Sequence, residues 1–155
     1  MGNNNVTTFI TFKSGGAEAV DFYTSLFSNS QIHHKMTMPG SDQLLHSVFT
    51  LNGREFMAMD GGDYFSFSEG ISLFVECKDQ AEVDYYWDAF TANGGEPGQC
   101  GWLKDRFGVS WQIIPSRLGE LMSDSNQTKS GATMQAMLKM NKLIIADLEK
   151  AYNEA

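Results

Sequence analysis

The sequence predicts an α+β fold made of two βαβββ modules followed by a C-terminal amphipathic helix. Three observations predict it. A constant shift lays Gly108, Trp111 and Ile114 on Gly53, Phe56 and Met59, so GVSWQII reads against GREFMAM. A second shift carries Ile10, Phe12, Val20, Asp21, Phe22, Tyr23 and Phe27 onto Leu73, Val75, Val83, Asp84, Tyr85, Tyr86 and Phe90 without a gap. Such internal repeats indicate one supersecondary unit used twice. Third, Met134, Met137, Leu138, Ile144, Ile145, Leu148 and Tyr152 recur at helical spacing near the end of the chain.

The elements follow in order. Val6 to Phe12 is a β-branched and aromatic run that reads as a strand. Ser14 then offers a cap, and Ala19, Phe22, Tyr23, Leu26 and Phe27 fall on one helical face. Residues 32–38, 45–51 and 54–60 read as three short strands separated by Pro39-Gly40 and Asn52-Gly53. Asn-Gly between two such runs is a strong hairpin signal, because its turn type needs positive φ at both positions. The second module opens with a strand from Ile71 to Cys77. Asp79 and Glu82 then form a capping box ahead of a helix that buries Val83, Tyr86, Trp87 and Phe90. After Asn93-Gly94-Gly95 come a short segment near Gln99 and strands over residues 101–105 and 110–114. Lys104, Asp105 and Arg106 precede a glycine-centred turn and read as a solvated hairpin end. Asp60-Gly61-Gly62-Asp63 reads as a turn, since later ligands at calcium-loop spacing are missing. Residues 123–131, SDSNQTKSG, read as a polar linker, and residues 132–155 as one helix of about six turns. Nothing in that linker anchors the helix locally, so its apolar stripe is expected to bury either on its own domain or on a partner subunit.

Bulk properties exclude several function classes. At 155 residues and 42% apolar content the chain suits one domain with an adequate core. No apolar run approaches a membrane span, and MGNNNVTT lacks the cationic and apolar regions of a signal peptide, so a cytoplasmic protein without a membrane partner is expected. Val6 stands where a myristoylation pattern needs Ser or Thr, which argues against lipidation of Gly2. Nineteen acidic against 11 basic residues give a net charge of −8, which opposes binding to nucleic acid. Cys77 and Cys100 form neither a metal-ligand spacing nor a disulfide framework and read as buried thiols. Cys100 also has the wrong strand parity to share a face with His46 as a nucleophile pair.

The duplicated pattern, the helix AEAVDFYTSLF and above all CGWLKDRFGVSWQIIP resemble the PhnB-like branch of the vicinal oxygen chelate superfamily, which includes glyoxalase I, bleomycin-resistance proteins and extradiol dioxygenases. The resemblance covers residues 6–122. It implies two modules forming a curled mixed sheet around a ligand cleft, commonly completed in a homodimer. The domain limits that follow are module one at 6–62 and module two at 70–122 within a single domain ending at 122, then the linker at 123–131 and the helix at 132–155. Metal-binding relatives draw ligands from the first and last strands of each module, and the resemblance maps those positions onto Thr7, Met57, Gly70 and Gln112. Such a set does not hold a divalent cation well, so no metal and no cofactor are expected. Some relatives carry the label of a ubiquinone-pathway methyltransferase, but no glycine-rich nucleotide-binding loop follows the first strand.

Alternation along the mapped strands puts Phe9, Thr11, Met57, Met59, Ser72, Phe74, Glu76, Ser110, Gln112 and Ile114 on the cleft side and Phe56, Trp111 and Ile113 in the core. Together with His46 on a third strand, Phe9, Thr11, Met57, Met59, Ser72, Phe74, Glu76 and Gln112 are the candidate substrate-binding residues. An apolar cleft with a few polar groups suits a small molecule. The reading is therefore a metal-independent small-molecule-binding protein of the glyoxalase and bleomycin-resistance type. One alternative is a metal-dependent glyoxalase- or dioxygenase-like enzyme that recruits His46, Glu76 and Gln112. The other is a dimeric interaction module whose cleft is vestigial. No catalytic residue is assigned, and whether a reaction is catalysed stays open at this level.

Overall fold

The computed structural model describes residues 5–155, so the reading of Gly2 lies outside the described residues. The chain divides into two compact units between Ser66 and Phe67, and each is described by itself.

The first unit runs β1 (Thr8–Phe12), α1 (Gly16–Leu26), β2 (Gln31–Thr37), β3 (Leu44–Leu51) and β4 (Arg54–Asp60), with one 3-10 turn at Gly62–Tyr64. Its four strands pair in the order β1-β4-β3-β2, β1 parallel to β4 and the others antiparallel. Alternation decides the faces. Ile10, Phe12, Phe49, Leu51 and Ala58 are buried on one side, where Ala17, Ala19, Val20 and Tyr23 of α1 cover them. The Phe12 and Tyr23 rings lie 6.4 Å apart across that layer. Phe22 and Leu26 sit at the margin of the helix stripe, half-buried. Asn52 (φ 48°) and Gly53 (φ 78°) both adopt the left-handed conformation that the tight β3–β4 hairpin demands, as their sequence predicts.

Ser14 does not cap α1. The carboxylate of Asp60, at the far end of β4, accepts a hydrogen bond from the Gly16 N–H at 2.8 Å and a second from the Leu44 N–H at 2.8 Å. Position 16 must be glycine for this approach, since a Cβ there would stand 2.6 Å from the Asp60 oxygen. The DGGD segment is thus a turn, as expected, but its first residue also ties three elements together.

The second unit runs β5 (Leu73–Cys77), α2 (Gln80–Thr91), β6 (Glu96–Pro97), β7 (Trp102–Lys104) and β8 (Ser110–Pro115), then α3 (Ser116–Met122), α4 (Gln127–Met137) and α5 (Ile145–Asn153). The strand order is β5-β8-β7-β6, with β5 parallel to β8. The order of elements repeats that of the first unit up to β8, so the two βαβββ modules are real. Asp79 caps α2 by accepting from the Glu82 N–H at 2.9 Å, while Glu82 accepts from the Lys78 N–H. Val83, Trp87 and Phe90 face the sheet, and Phe90 stacks on Trp111 with centroids 4.3 Å apart.

Two expectations are corrected here. Asp105 is not at a solvated hairpin end: it is 3% exposed and accepts from the Phe107 and Val109 N–H groups and from Trp111 Nε1 at 2.8 Å. A buried carboxylate needs such partners, and the turn between β7 and β8 is wound around it. The C-terminal segment is helical but not continuous. Asn126, inside the polar run, accepts from the Thr128 and Lys129 N–H groups and so starts α4 before the expected boundary. The helix then stops because the carbonyls of Met140 and Asn141 accept from the Cys100 and Gly101 N–H groups, each at 2.8 Å, instead of from a following helical turn.

That segment is also anchored locally. Leu143 and Leu148 are fully buried with Leu118 and Leu121, and Ile114, Met122, Met137, Met140 and Tyr152 pack around them. Gln80 of α2 donates to the Leu143 carbonyl and accepts from the Ile145 N–H, Lys142 pairs with Asp84 and Asp88, and Arg117 pairs with Glu149. The Tyr152 hydroxyl donates to Asp124, which with the Asn126 N–H holds that carboxylate below its usual range. Most of the apolar stripe therefore buries against its own unit, while Met134 and Leu138 stay 40% and 50% exposed. Leu148→Ala is expected to destabilise the protein by roughly 2–5 kcal/mol in denaturant unfolding, the cost of a buried leucine cavity. A loss below about 0.5 kcal/mol, typical of surface sites, would contradict the packing described for α5.

Candidate functional site

Each sheet has one face under its helix and one face without it, and the pairing register fixes what the second face carries. In the first unit, Phe9 pairs with Met57, Thr11 with Met59, Val48 with Met57, His34 with Val48 and Met36 with His46. These side chains share the face opposite α1. Five of the expected residues, Phe9, Thr11, His46, Met57 and Met59, are thereby brought together. Phe9 is 46% exposed although the next residue, Ile10, is buried in the core. Its ring lies 6.2 Å from that of His46, and His46 lies 5.5 Å from His34.

In the second unit, Phe74 pairs with Gln112, Glu76 with Ile114 and Trp102 with Gln112. Phe74 is 57% and Trp102 38% exposed, so two aromatic side chains flank one amide along a row across β5, β8 and β7. Gln112 donates through Nε2 to the Ser72 hydroxyl at 2.9 Å, which leaves its carbonyl oxygen for other use. Ser72, Phe74, Glu76 and Gln112 therefore also share a face, as the strand parity predicts. Ser110 is buried, and Ile114 is half-buried against the C-terminal leucine cluster.

Sequence reasoning missed Trp102, His34, Met36 and Val48. Trp102 lies on a three-residue strand, too short for alternation to mark its outward side. His34 sits after a register shift between Ile32 and His34, and no periodicity in the sequence announces that irregularity.

The positions that the resemblance assigns to metal ligands do not fit a divalent cation. Thr7 donates to Glu55, Met57 offers a thioether, Gly70 has no side chain, and Gln112 spends its amide on Ser72. Among the described residues no group of three or more His, Cys, Asp or Glu side chains is gathered for a metal. Cys77 is buried, and burial first, then Glu82, Asp79 and Glu76, push its thiol up to about 12, so it stays protonated and unreactive. Cys100 is half-exposed rather than buried.

One other concavity is large. A polar cleft of about 860 Å3 lies beside the start of α1, lined by residues such as Lys13, Glu18, Asp21, Lys35 and Asp42. Both of its lysines are paired, Lys13 with Asp63 and Lys35 with Asp21, and Asp60 accepts from the Gly16 N–H of the helix N-terminus it abuts.

Two repeated βαβββ modules, each with its first and last strands parallel and one face of its sheet left free, define the vicinal oxygen chelate class. Residues 4–114 match the family described as 3-demethylubiquinone-9 3-methyltransferase, and the chain belongs to this PhnB-like family. It is similar to a solved structure described as a putative 3-demethylubiquinone-9 3-methyltransferase, PhnB protein, from Bacillus cereus, with 34% identity and a TM-score of 0.65 over 73% of this chain and 100% of that one. A protein from Pseudomonas aeruginosa shares the fold at 18% identity, TM-score 0.58, over 73% of this chain and 98% of that one. So does the fosfomycin resistance protein FosX from Listeria monocytogenes, at 15% identity and TM-score 0.55 over 77% and 97%. A comparison with curated proteins found no match.

The face assignment has a direct test. Phe74→Ser is expected to change stability by no more than about 0.5 kcal/mol, as for exposed positions. Phe90→Ala, on the helix side of the same unit, should cost about 3–5 kcal/mol. Equal large losses in urea unfolding would place Phe74 in the core.

Proposed function

We propose that this protein binds a small, partly apolar molecule without a divalent metal, through Phe9, Thr11, His46, Met57 and Met59 on one sheet and Ser72, Phe74, Glu76 and Gln112 on the other. The observation that carries this reading is the exposure of Phe9 and Phe74 on faces that also hold a few polar groups. Leaving aromatic side chains in water forfeits ~1.5–3 kcal/mol each relative to burial. A ligand that covers such a side chain recovers that free energy, and the polar groups that would orient it are His46 beside Phe9 on the first sheet and the Gln112 carbonyl oxygen beside Phe74 on the second.

The methyl transfer in the family's description is a weaker reading of this chain. A nucleotide-type cofactor would call for a free helix N-terminus after the first strand, and in this protein Asp60 occupies it. The likeness to fosfomycin resistance proteins supports the fold, and the donor set argues against a shared divalent-metal chemistry.

We further propose a cytoplasmic homodimer in which the two modules act as one domain. The local packing of α3, α4 and α5 moves the expected dimer contact away from the apolar stripe of the tail. Light scattering on the full chain and on a chain ending at Ser123 checks this: both should have the dimer's mass, the shorter one with lower stability. A full-length monomer at micromolar concentration overturns the dimer.

The binding reading is checked with a fluorescent apolar dye. The full chain should bind it equally well with and without EDTA, and Met57→Trp should abolish binding while the melting temperature changes little. Overpacking a closed core instead costs ~1–3 kcal/mol. Dye binding that requires a divalent metal supports the enzyme alternative, and a strongly destabilised Met57→Trp chain means that the face is closed by packing.

A further inference from the structure

Part of the first sheet's free face gathers imidazole and thioether side chains, of which His34 and Met36 have no part in the apolar-ligand reading. Met36 pairs with His46 across β2 and β3, and Ser47 pairs with Ala58 across β3 and β4. Carrying that second register one residue further sets Met59 opposite His46. A single row across three strands thus reads Met36, His46, Met59, and His34 stands beside it with its ring 5.5 Å from that of His46. Met36 is 47% exposed on an edge strand, so core packing does not explain it. The face holds no carboxylate in these rows; Glu55, further along β4, takes the Thr7 hydroxyl.

Two thioethers are soft donors and two imidazoles are borderline ones. Imidazole alone suits several dications, and it is the pair of thioethers that tips the set toward Cu(I). The spacing suits one ion. With metal–nitrogen bonds of about 2 Å, two rings on one centre have centroids no more than about 6 Å apart, and the observed 5.5 Å meets that limit. Side chains directly opposite on antiparallel strands have Cβ atoms about 5 Å apart, within reach of a flexible methionine.

We propose that His34, Met36, His46 and Met59 form a binding site for a soft monovalent cation, Cu(I), for which Ag(I) is a redox-inert surrogate. The site lies at positions distinct from Thr7, Gly70 and Gln112, and no change of oxidation state is part of the proposal. It shares His46 and Met59 with the apolar-ligand reading, whose own test, the Met57→Trp chain, alters none of the four donors.

The experiment uses the full chain carrying Cys100→Ser, which removes the half-exposed thiol. Cu(I) is titrated anaerobically against a chromophoric chelator, Ag(I) binding is followed by thermal shift, and Zn(II) serves as the borderline control. One equivalent of Cu(I) and of Ag(I) should bind. The near-isosteric variants Met36→Leu and Met59→Leu, and separately His46→Gln, should each weaken binding by about tenfold or more, at least the loss caused by removing a supporting partner of a ligand. Zinc should bind far more weakly. Absence of Cu(I) binding to the Cys100→Ser chain, unchanged affinity in both leucine variants, or zinc binding as tight as copper would each overturn the proposal.

Discussion

The parallel pairing of the first and last strand in each module is the constraint on which the rest of this structure depends. A parallel pair cannot be closed by a tight hairpin, so the chain must cross over, and it does so with α1 in one unit and α2 in the other. The crossover covers one face only. The residues of the parallel pair are thereby sorted: Ile10, Phe12 and Ala58, or Val75, Trp111 and Ile113, go under the helix, and their neighbours go to the other side. A shift of register by one residue would send Phe9 and Met57 into the core and expose Phe12, which is why the hydrophobic pattern holds the pairing so firmly.

Two buried carboxylates close what the strands begin. Asp60 takes N–H groups from the start of α1 and of β3, and Asp105 takes two from its own turn and one from the Trp111 ring. In each case the acid binds backbone donors that β pairing leaves unused. Charge-assisted bonds of this kind are worth about 1.5–3 kcal/mol each, and the larger effect is avoidance of orphaned donors in a dry interior. Both carboxylates are held by these donors on the helix-covered side of the fold or within a turn, away from the free faces.

These carboxylates also mark where the sequence stops being legible. The strand parity of Phe9, Met57, Phe74 and Gln112 could be read because side-chain alternation is local and periodic, and the Asn52-Gly53 turn because its φ demands are local too. Asp60 capping a helix 44 residues earlier in the chain is a long-range contact with no periodic trace. A short-range candidate, Ser14, was nearer and wrong. The break between α4 and α5 is of the same kind: residues 138–144 keep a helical apolar spacing, yet the backbone of Cys100 and Gly101 needs acceptors, and tertiary demand outweighs propensity. His34 was hidden by a strand irregularity that shifts alternation by one.

The repeat suggests two equal halves, but the tail makes them unequal. In the second unit the C-terminal leucine cluster packs on Ile114, which the parity argument assigns to the free face, so one end of that face is already occupied by the protein itself. What stays open there is the row from Phe74 through Gln112 to Trp102, suited to a planar apolar body and one hydrogen bond. The first unit has no comparable tail, and its face keeps all its rows, with thioethers and imidazoles beside Phe9. Two copies of one module have therefore come to present different chemistry, aromatic and amide in one and thioether and imidazole in the other. The difference arises from side-chain identity and from what the tail covers, because the backbone order is the same in both.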